Sequence, residues 1–221
     1  MDRVWKETFL MHSRTKEFKE KVRIANKIIE KAYSIFSNPY VAFSGGKDST
    51  VLLHLCIQHD PEIDVWHHGL GHLLPAEIED EINENARIIG VEKERYITSN
   101  RDFRTGTQIH RFGWMELRRQ SNIRGWDGVF LGLRAEESCK RKERGKKPRD
   151  NECYPIIDFT WKDVWAYIVS EKLPYLRIYD VYSTLYGWDK VRFHSFFDPE
   201  FDKFGSSNVD GVLMPEFRFG P

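Results

Sequence analysis

The stretch from Tyr40 to Cys56 constrains the fold more than any other part of the chain. Tyr40-Val41-Ala42-Phe43 is a short apolar run, and Ser44-Gly45-Gly46-Lys47-Asp48-Ser49 follows it directly. Over Asp48 to Gln58 the apolar positions Val51, Leu52, Leu55 and Cys56 recur at helical spacing. The order is a buried strand, a glycine turn and a helix. A chain that continues from such a helix into another strand returns parallel to the first, by a right-handed crossover.

The rest of the sequence repeats that alternation. Ile63 to His67 reads as a strand, Pro75 to Ile89 as a helix opened by proline in its first turn, and Arg95 to Thr98 as a further strand. Trp114 to Ile123 reads as a helix and Val129 to Leu133 as a buried strand. A basic stretch follows, then the apolar piece Tyr154-Pro155-Ile156-Ile157 and a helix from Trp161 to Ser170. Upstream, Phe18, Val22, Ala25, Ile29, Ala32 and Phe36 mark one amphipathic helix within Ser13 to Phe36. Asn38-Pro39 ends it, because the residue before proline is pushed out of helical geometry. The expected fold is α/β: a three-layer, Rossmann-like twisted sheet of about five parallel strands with helices on both faces. The expected organisation is an N-terminal helical segment (1–37), an α/β core (38–175) and an irregular C-terminal extension (176–221) packed on the core.

Lys plus Arg and Asp plus Glu both number 34, so net charge gives no reason to expect nucleic acid or an anionic membrane surface. Three cysteines, Cys56, Cys139 and Cys153, lack a paired spacing, and no apolar run is long enough to span a bilayer. The expected setting is the reducing cytoplasm, with no membrane association.

The glycine turn has a mechanical consequence. Gly45 and Gly46 accept unusual backbone angles and let main-chain N–H groups approach an anion. The helix behind them offers its unpaired N–H groups and positive dipole end to the same anion. Lys47 adds a charge, and Ser44 and Ser49 add hydroxyls. Asp48 stands where it could cap the helix or hold Mg²⁺ against phosphates. The spacing matches neither GxxxxGK[ST] nor GxGxxG. Arg134, just past a strand, could grip a phosphate or sulfate with two parallel hydrogen bonds; the competing reading is a surface ion pair with Glu136 or Glu137.

Other residues suggest a second ligand. His67, His68 and His72 follow the second strand, but strand alternation sends the first two to opposite faces, which disfavours a metal site. His68 and His72 are candidates for contacting a base or ribose. Lys140 to Arg149 is dense in positive charge, and with Glu137, Lys140 and Arg141 it is a candidate lid or anionic-substrate site. Nucleic acid is one such substrate, with Arg111, Arg118, Arg119 and Arg124 nearby in sequence. Trp161 and Trp165, four apart, read as core.

Ser44 to Ser49 resembles the signature of the PP-loop pyrophosphatases, or adenine nucleotide α-hydrolases, and more narrowly that of the phosphoadenosine phosphosulfate (PAPS) reductase family. Gly69 to Glu77 is similar to that family's Thr-Gly-x-x-Phe-Pro-Glu turn, and Gly132 to Ser138 to its Gly-x-Arg-x-x-Glu-Ser segment. Pro155 to Trp165 is similar to its Pro-Ile-x-x-Trp-x-x-x-Asp-Val-Trp run, with Phe159 in place of the first tryptophan. The resemblance covers about residues 38–175. It implies a nucleotide, ATP or PAPS, across the C-terminal strand edges, held by Ser44, Gly45, Gly46, Lys47, Asp48, Ser49, Gly132 and Arg134. Lys47, Asp48 and Arg134 are the expected catalytic set, with Mg²⁺ at Asp48.

The match is incomplete. PAPS-reducing members carry a cysteine in a Glu-Cys-Gly-x-His tail, whereas the last cysteine here is Cys153. Thiolate attack on a sulfonate needs a thiol at that place. Three cysteines cannot ligate one cluster that needs four, so no iron–sulfur centre is expected. What the resemblance to the PP-loop enzymes then implies is an enzyme that cleaves at the α-phosphate, adenylylating a substrate and releasing pyrophosphate. A different class stays open: a nucleotide-binding subunit without turnover, acting as a homo-oligomer or with partner proteins in sulfur or nucleic-acid modification or in defence. Genuine PAPS reduction ranks third.

Overall fold

The computed structural model describes residues 1–69, 74–99 and 106–191; His72 and the last thirty residues lie outside them. Five parallel strands form one sheet in the order β3-β2-β1-β4-β5. They are β1 (Pro39–Phe43), β2 (Asp64–His67), β3 (Tyr96–Thr98), β4 (Gly128–Phe130) and β5 (Glu152–Cys153). The helices are α1 (Arg3–Ser13), α2 (Lys16–Tyr33), α3 (Lys47–His59), α4 (Ala76–Ile89), α5 (Gly106–Arg124), α6 (Cys139–Lys146), α7 (Trp161–Ser170) and α8 (Ile178–Tyr186). The expected α/β architecture is what the chain adopts. β1 lies between β2 and β4, so connections depart in opposite directions on either side of it. That switch point opens a crevice at the carboxyl ends of β1 and β4.

Each element has a local cause. Val41 and Phe43 of β1 are buried on the face against α3, whose Val51, Leu52, Leu53, Leu55 and Cys56 are fully enclosed. Thr15 caps α2, accepting the Phe18 N–H at 3.2 Å. Gly90 ends α4 with φ of 113°, a left-handed angle suited to glycine. Cys56 is core packing, as its helical stripe suggests.

Several boundaries differ from the sequence reading. Within the expected N-terminal helical segment α1 is an element separate from the Ser13–Phe36 stripe; it buries only Phe9 and so carries little periodic signal. The helix expected from Trp114 begins at Gly106. The edge strand β5, which the sequence pattern does not mark, falls on Glu152–Cys153, just before the apolar Tyr154–Ile157 piece, where Pro155 has no N–H to give a ladder. The basic stretch expected as a loop is helical over Cys139–Lys146: Ser138 caps it by accepting the Arg141 N–H, and Glu143 pairs with Lys146. The C-terminal extension is not irregular throughout, since α8 occupies Ile178–Tyr186 and Tyr179, Trp188 and Val191 are buried.

Those last residues complete an aromatic cluster around Trp165, which is wholly buried. Its ring lies 4.6 Å from Trp188, 5.2 Å from Tyr179, 5.3 Å from Tyr175 and 6.4 Å from Phe9. The N-terminal helices are tied to the same helix by charge. Asp163 of α7, 1% exposed, receives His12 Nε2 at 2.7 Å and Lys21 Nζ at 2.8 Å. It also accepts the backbone N–H and hydroxyl of its N-cap, Thr160. Burial opposes the Asp163 charge, but Lys21, His12 and Thr160 outweigh it and hold the carboxyl below its ordinary range.

Asp163→Ala takes the shared carboxylate from Lys21, His12 and Thr160 and should cost about 3 kcal/mol at neutral pH in urea unfolding. Because the folded carboxyl titrates below the unfolded one, this contribution is complete above the unfolded aspartate range near pH 4 and lost as pH falls through the folded value. The stability gap between wild type and variant should therefore shrink on acidification below about pH 4.

Candidate functional site

The residues after β1 turn sharply at Gly45, with φ of 78°; a Cβ there would also lie 2.4 Å from the Ile82 side chain of α4. Only glycine satisfies both demands. Gly46 then starts α3, with no side-chain cap of its own. Ser49 folds back, its Oγ donating to the Gly46 carbonyl at 2.8 Å and lying 3.1 Å from Ser44 Oγ. The loop thus presents a helix N-terminus at the switch point.

The backbone leaving β4 abuts this turn. A Cβ on Gly132 would meet the Asp48 carbonyl and the Ser49 nitrogen at 3.1 Å. This close approach of two main chains explains a glycine two residues before Arg134. Arg134 is buried, and its guanidinium is taken by carboxylates: Nε donates to Asp48 at 2.5 Å and Nη1 to Glu136 at 2.6 Å, with Glu137 at 3.9 Å. The ion pair with Glu136 or Glu137 that the sequence raised as a surface contact is therefore made by a buried guanidinium, which reaches out to the exposed Glu136 and has Asp48 as a further partner. Burial works against the Arg134 charge, but Asp48, Glu137 and Glu136 outweigh it and raise its pKa above the ordinary value. Lys47 is also buried: its Nζ donates to the Val191 carbonyl at 3.2 Å and stands 3.4 Å from Asp48, and its backbone N–H donates to Tyr179 Oη at 3.1 Å. The segment after α8 thus reaches the phosphate-type loop.

A cavity of about 960 Å³ opens beside the loop. Of the residues singled out from sequence, Ser44, Gly46, Lys47, Asp48, Ser49, Gly132, His68, Glu137, Lys140 and Arg141 line it. Arg134 does not; it borders a smaller cavity of about 240 Å³ together with Lys47, Glu136, Trp161 and Asp189. His67 and His68 both line this cavity but make different hydrogen bonds. His67 is held by the Phe43 carbonyl at 2.9 Å and Glu79 at 2.8 Å, while His68 Nδ1 meets Ser99 Oγ at 3.1 Å. His68 also fills the space where a Cβ on Gly113 of α5 would stand. Among the described residues no group of three or more His, Cys, Asp or Glu side chains is arranged to hold a metal.

Sequence reasoning missed Glu79, which orients His67, and the aromatic residues Tyr40, Trp66 and Trp126, which line the same cavity. Glu77, the residue matched to the proline–glutamate turn, is exposed. A glycine inside the α5 pattern, Gly113, was the one local sign of a close approach.

Residues 38–191 match the phosphoadenosine phosphosulfate reductase domain. The chain belongs to that family. It is 26% identical over 200 residues to sulfate adenylyltransferase subunit 2 of Maricaulis maris, covering 69% of this chain and 63% of that protein. It is 27% identical over 204 residues to a probable FAD synthase of Caenorhabditis briggsae, covering 87% of this chain and 38% of that protein. The chain thus spans less than two thirds of the length of these relatives. The crystal structure of PAPS reductase from Candida auris, a phosphate complex, shares the fold with a TM-score of 0.53 at 14% identity, over 76% of this chain and 93% of that one. No helix among the described residues is long and apolar enough to cross a membrane.

A double-mutant cycle isolates the contact that joins the two loops. Arg134→Ala removes the buried cation that Asp48, Glu136 and Glu137 share and should cost about 3 kcal/mol. With Asp48→Ala, denaturant unfolding should return a coupling energy above about 1 kcal/mol; simple additivity would show that the pair does not hold the loops together.

Proposed function

We propose that the chain binds an adenine nucleotide at the β1/β4 switch point and, with ATP, transfers the adenylyl group to an acceptor with release of pyrophosphate. The observation that carries this reading is the abutment of Gly132 on the first turn of α3 beside the Gly45–Gly46 turn. It brings two backbone segments and a helix N-terminus to one end of a large cavity. Fixed N–H groups and a helix dipole there favour negative charge building up on a departing pyrophosphate. In the transfer, an acceptor oxygen bonds to the α-phosphorus as the bond to the bridging oxygen breaks, and that electron pair leaves with pyrophosphate. The relatives named as a sulfate adenylyltransferase subunit and an FAD synthase are in keeping with adenylyl chemistry.

The thiols support the same choice. Cys56 is sealed in α3 with its pKa pushed up by burial, and burial raises Cys153 to about 12. Both stay protonated near neutrality, and a protonated thiol is a poor nucleophile. Cys139 is exposed on α6 and does not line the main cavity.

Magnesium is compatible with one carboxylate supplemented by phosphate oxygens and water, the usual Mg²⁺ arrangement. Asp48 Oδ2, the oxygen turned to Lys47 rather than Arg134, would hold it and bring charge neutralisation to the phosphates. Lys47 would then offer its charge to the nucleotide in place of the Val191 carbonyl. A second reading, a nucleotide-binding subunit that turns over only with a partner, is favoured by the relatives named as subunit 2.

Incubation with Mg²⁺-ATP, with calorimetry for binding and chromatography for products, separates the two. Pyrophosphate release with AMP or an adenylylated product is expected from the enzyme, and binding without products from the subunit. Gly132→Ala should weaken ATP at least about tenfold by forcing the two main chains apart, and Lys47→Ala should abolish binding or turnover. Unchanged ATP affinity in both variants would overturn the site assignment.

A further inference from the structure

The main cavity contains one acid–base pair that the phosphate-type loop does not use. His67, at the end of β2, is the register partner of Phe43, the residue that leads into Ser44. Its Nδ1 lies 2.9 Å from the Phe43 carbonyl oxygen, and its Nε2 lies 2.8 Å from Glu79 Oε1 of α4. The ring is also stacked on Tyr96 at 5.9 Å and 14°. Contacts on both edges and on one face fix this buried imidazole, and with it the Glu79 carboxylate.

Both ring nitrogens face acceptors, so a proton stands in each contact. Nδ1–H donates to the carbonyl, and the pair shares the proton between Nε2 and Oε1 whichever atom carries it. Either way, Glu79 Oε2 has only lone pairs to offer. It is buried and has no hydrogen-bond partner among the described residues, although Glu79 lines the cavity. Folding alone gives no reason to keep a buried acceptor in that state, because a missing partner is costly. A ligand that brings an O–H or N–H removes the cost. A ligand that brings a phosphate oxygen sets acceptor against acceptor and is disfavoured.

The position of Glu79 decides which part of a nucleotide meets it. A Cβ on Gly45 would lie 2.4 Å from Ile82, so Ile82 packs on the glycine turn. Glu79 stands one turn before Ile82 on the same face of α4, which puts their Cβ atoms about 6 Å apart. With phosphates at the glycine turn, the group next along the nucleotide is the ribose, and the base lies beyond it. Open α/β sheets that bind dinucleotides likewise set an acid near the end of the second strand against the ribose hydroxyls.

We propose that Glu79 reads the ribose: Oε2 accepts a hydrogen bond from a ribose hydroxyl and excludes nucleotides that carry a phosphate on that ring. His67 is the positioning residue that holds the carboxylate. The inference deepens the proposed nucleotide reading and rests on it. Its consequence is a preference for ATP over PAPS, whose ribose is phosphorylated.

Calorimetric titration with ATP and 2′,3′-dideoxy-ATP tests the contact. The wild-type protein should bind ATP at least about tenfold more tightly than the dideoxy analogue. Glu79→Ala should bring the two within about twofold while circular dichroism stays native. A carboxylate that only holds His67 would weaken both ligands alike and leave their ratio unchanged, and that result would overturn the proposal. Equal affinity of the wild type for ATP and its dideoxy analogue would overturn it without any variant. Adenosine 5′-phosphosulfate and PAPS differ only in the ribose phosphate, and the wild type should prefer the former at least about tenfold; equal affinity would again count against the assignment. If replacing ATP by inosine triphosphate loses affinity in the wild type but not in Glu79→Ala, Oε2 meets the amino group of the base and the ribose assignment is wrong. Binding of no nucleotide at all removes the nucleotide reading and this inference with it. ATP binding that ignores the ribose hydroxyls removes this inference alone.

Discussion

The site depends on the contact between the exit of β4 and the first turn of α3. Gly132 touches the backbone of Asp48 and Ser49, and Arg134 closes the junction by giving its guanidinium to Asp48. A buried cation with too few anions would be costly, and three carboxylates surround this one. The pair therefore fixes the spacing between two loops that the chain separates by more than eighty residues. Everything placed at the switch point inherits its geometry from that junction.

The terminal helices reinforce it from behind. Asp163 draws His12 and Lys21 onto α7, and Trp165 gathers Phe9, Tyr175, Tyr179 and Trp188 around itself. Tyr179 and Val191 then reach Lys47. The segment beyond residue 175 is thus bound to the loop as well as to the core, which links C-terminal packing to the surroundings of the loop lysine. On the opposite face of the sheet, α5 roofs a cavity whose floor is aromatic and whose rim is cationic. One face is a packed core and the other holds space.

Much of this was legible in the sequence. Tyr40 to Phe43, the two glycines and the α3 stripe carry local signals with periods of two and 3.6, and those signals gave the alternation and the parallel sheet. The glycine turn and Gly132 also identified the ends of the strands that form the crevice. Less local features escaped. α1 buries a single residue, so it had little periodicity to show. The basic stretch looked like a loop because charge alone does not reveal a Ser138 cap or i,i+3 pairs.

The sequence by itself determined the alternation of β1 to β4 with α3, α4 and α5 and the chemistry of the turn between β1 and α3, because both are written in residues adjacent along the chain. Tertiary structure alone decided that Arg134 spends its charge on Asp48, that Lys47 is covered by Val191, and that Tyr40, Trp66 and Trp126 share one floor. The physical reason is separation. These partners lie between 26 and 144 residues apart, and only the register of parallel strands and the burial of opposite charges brings them together.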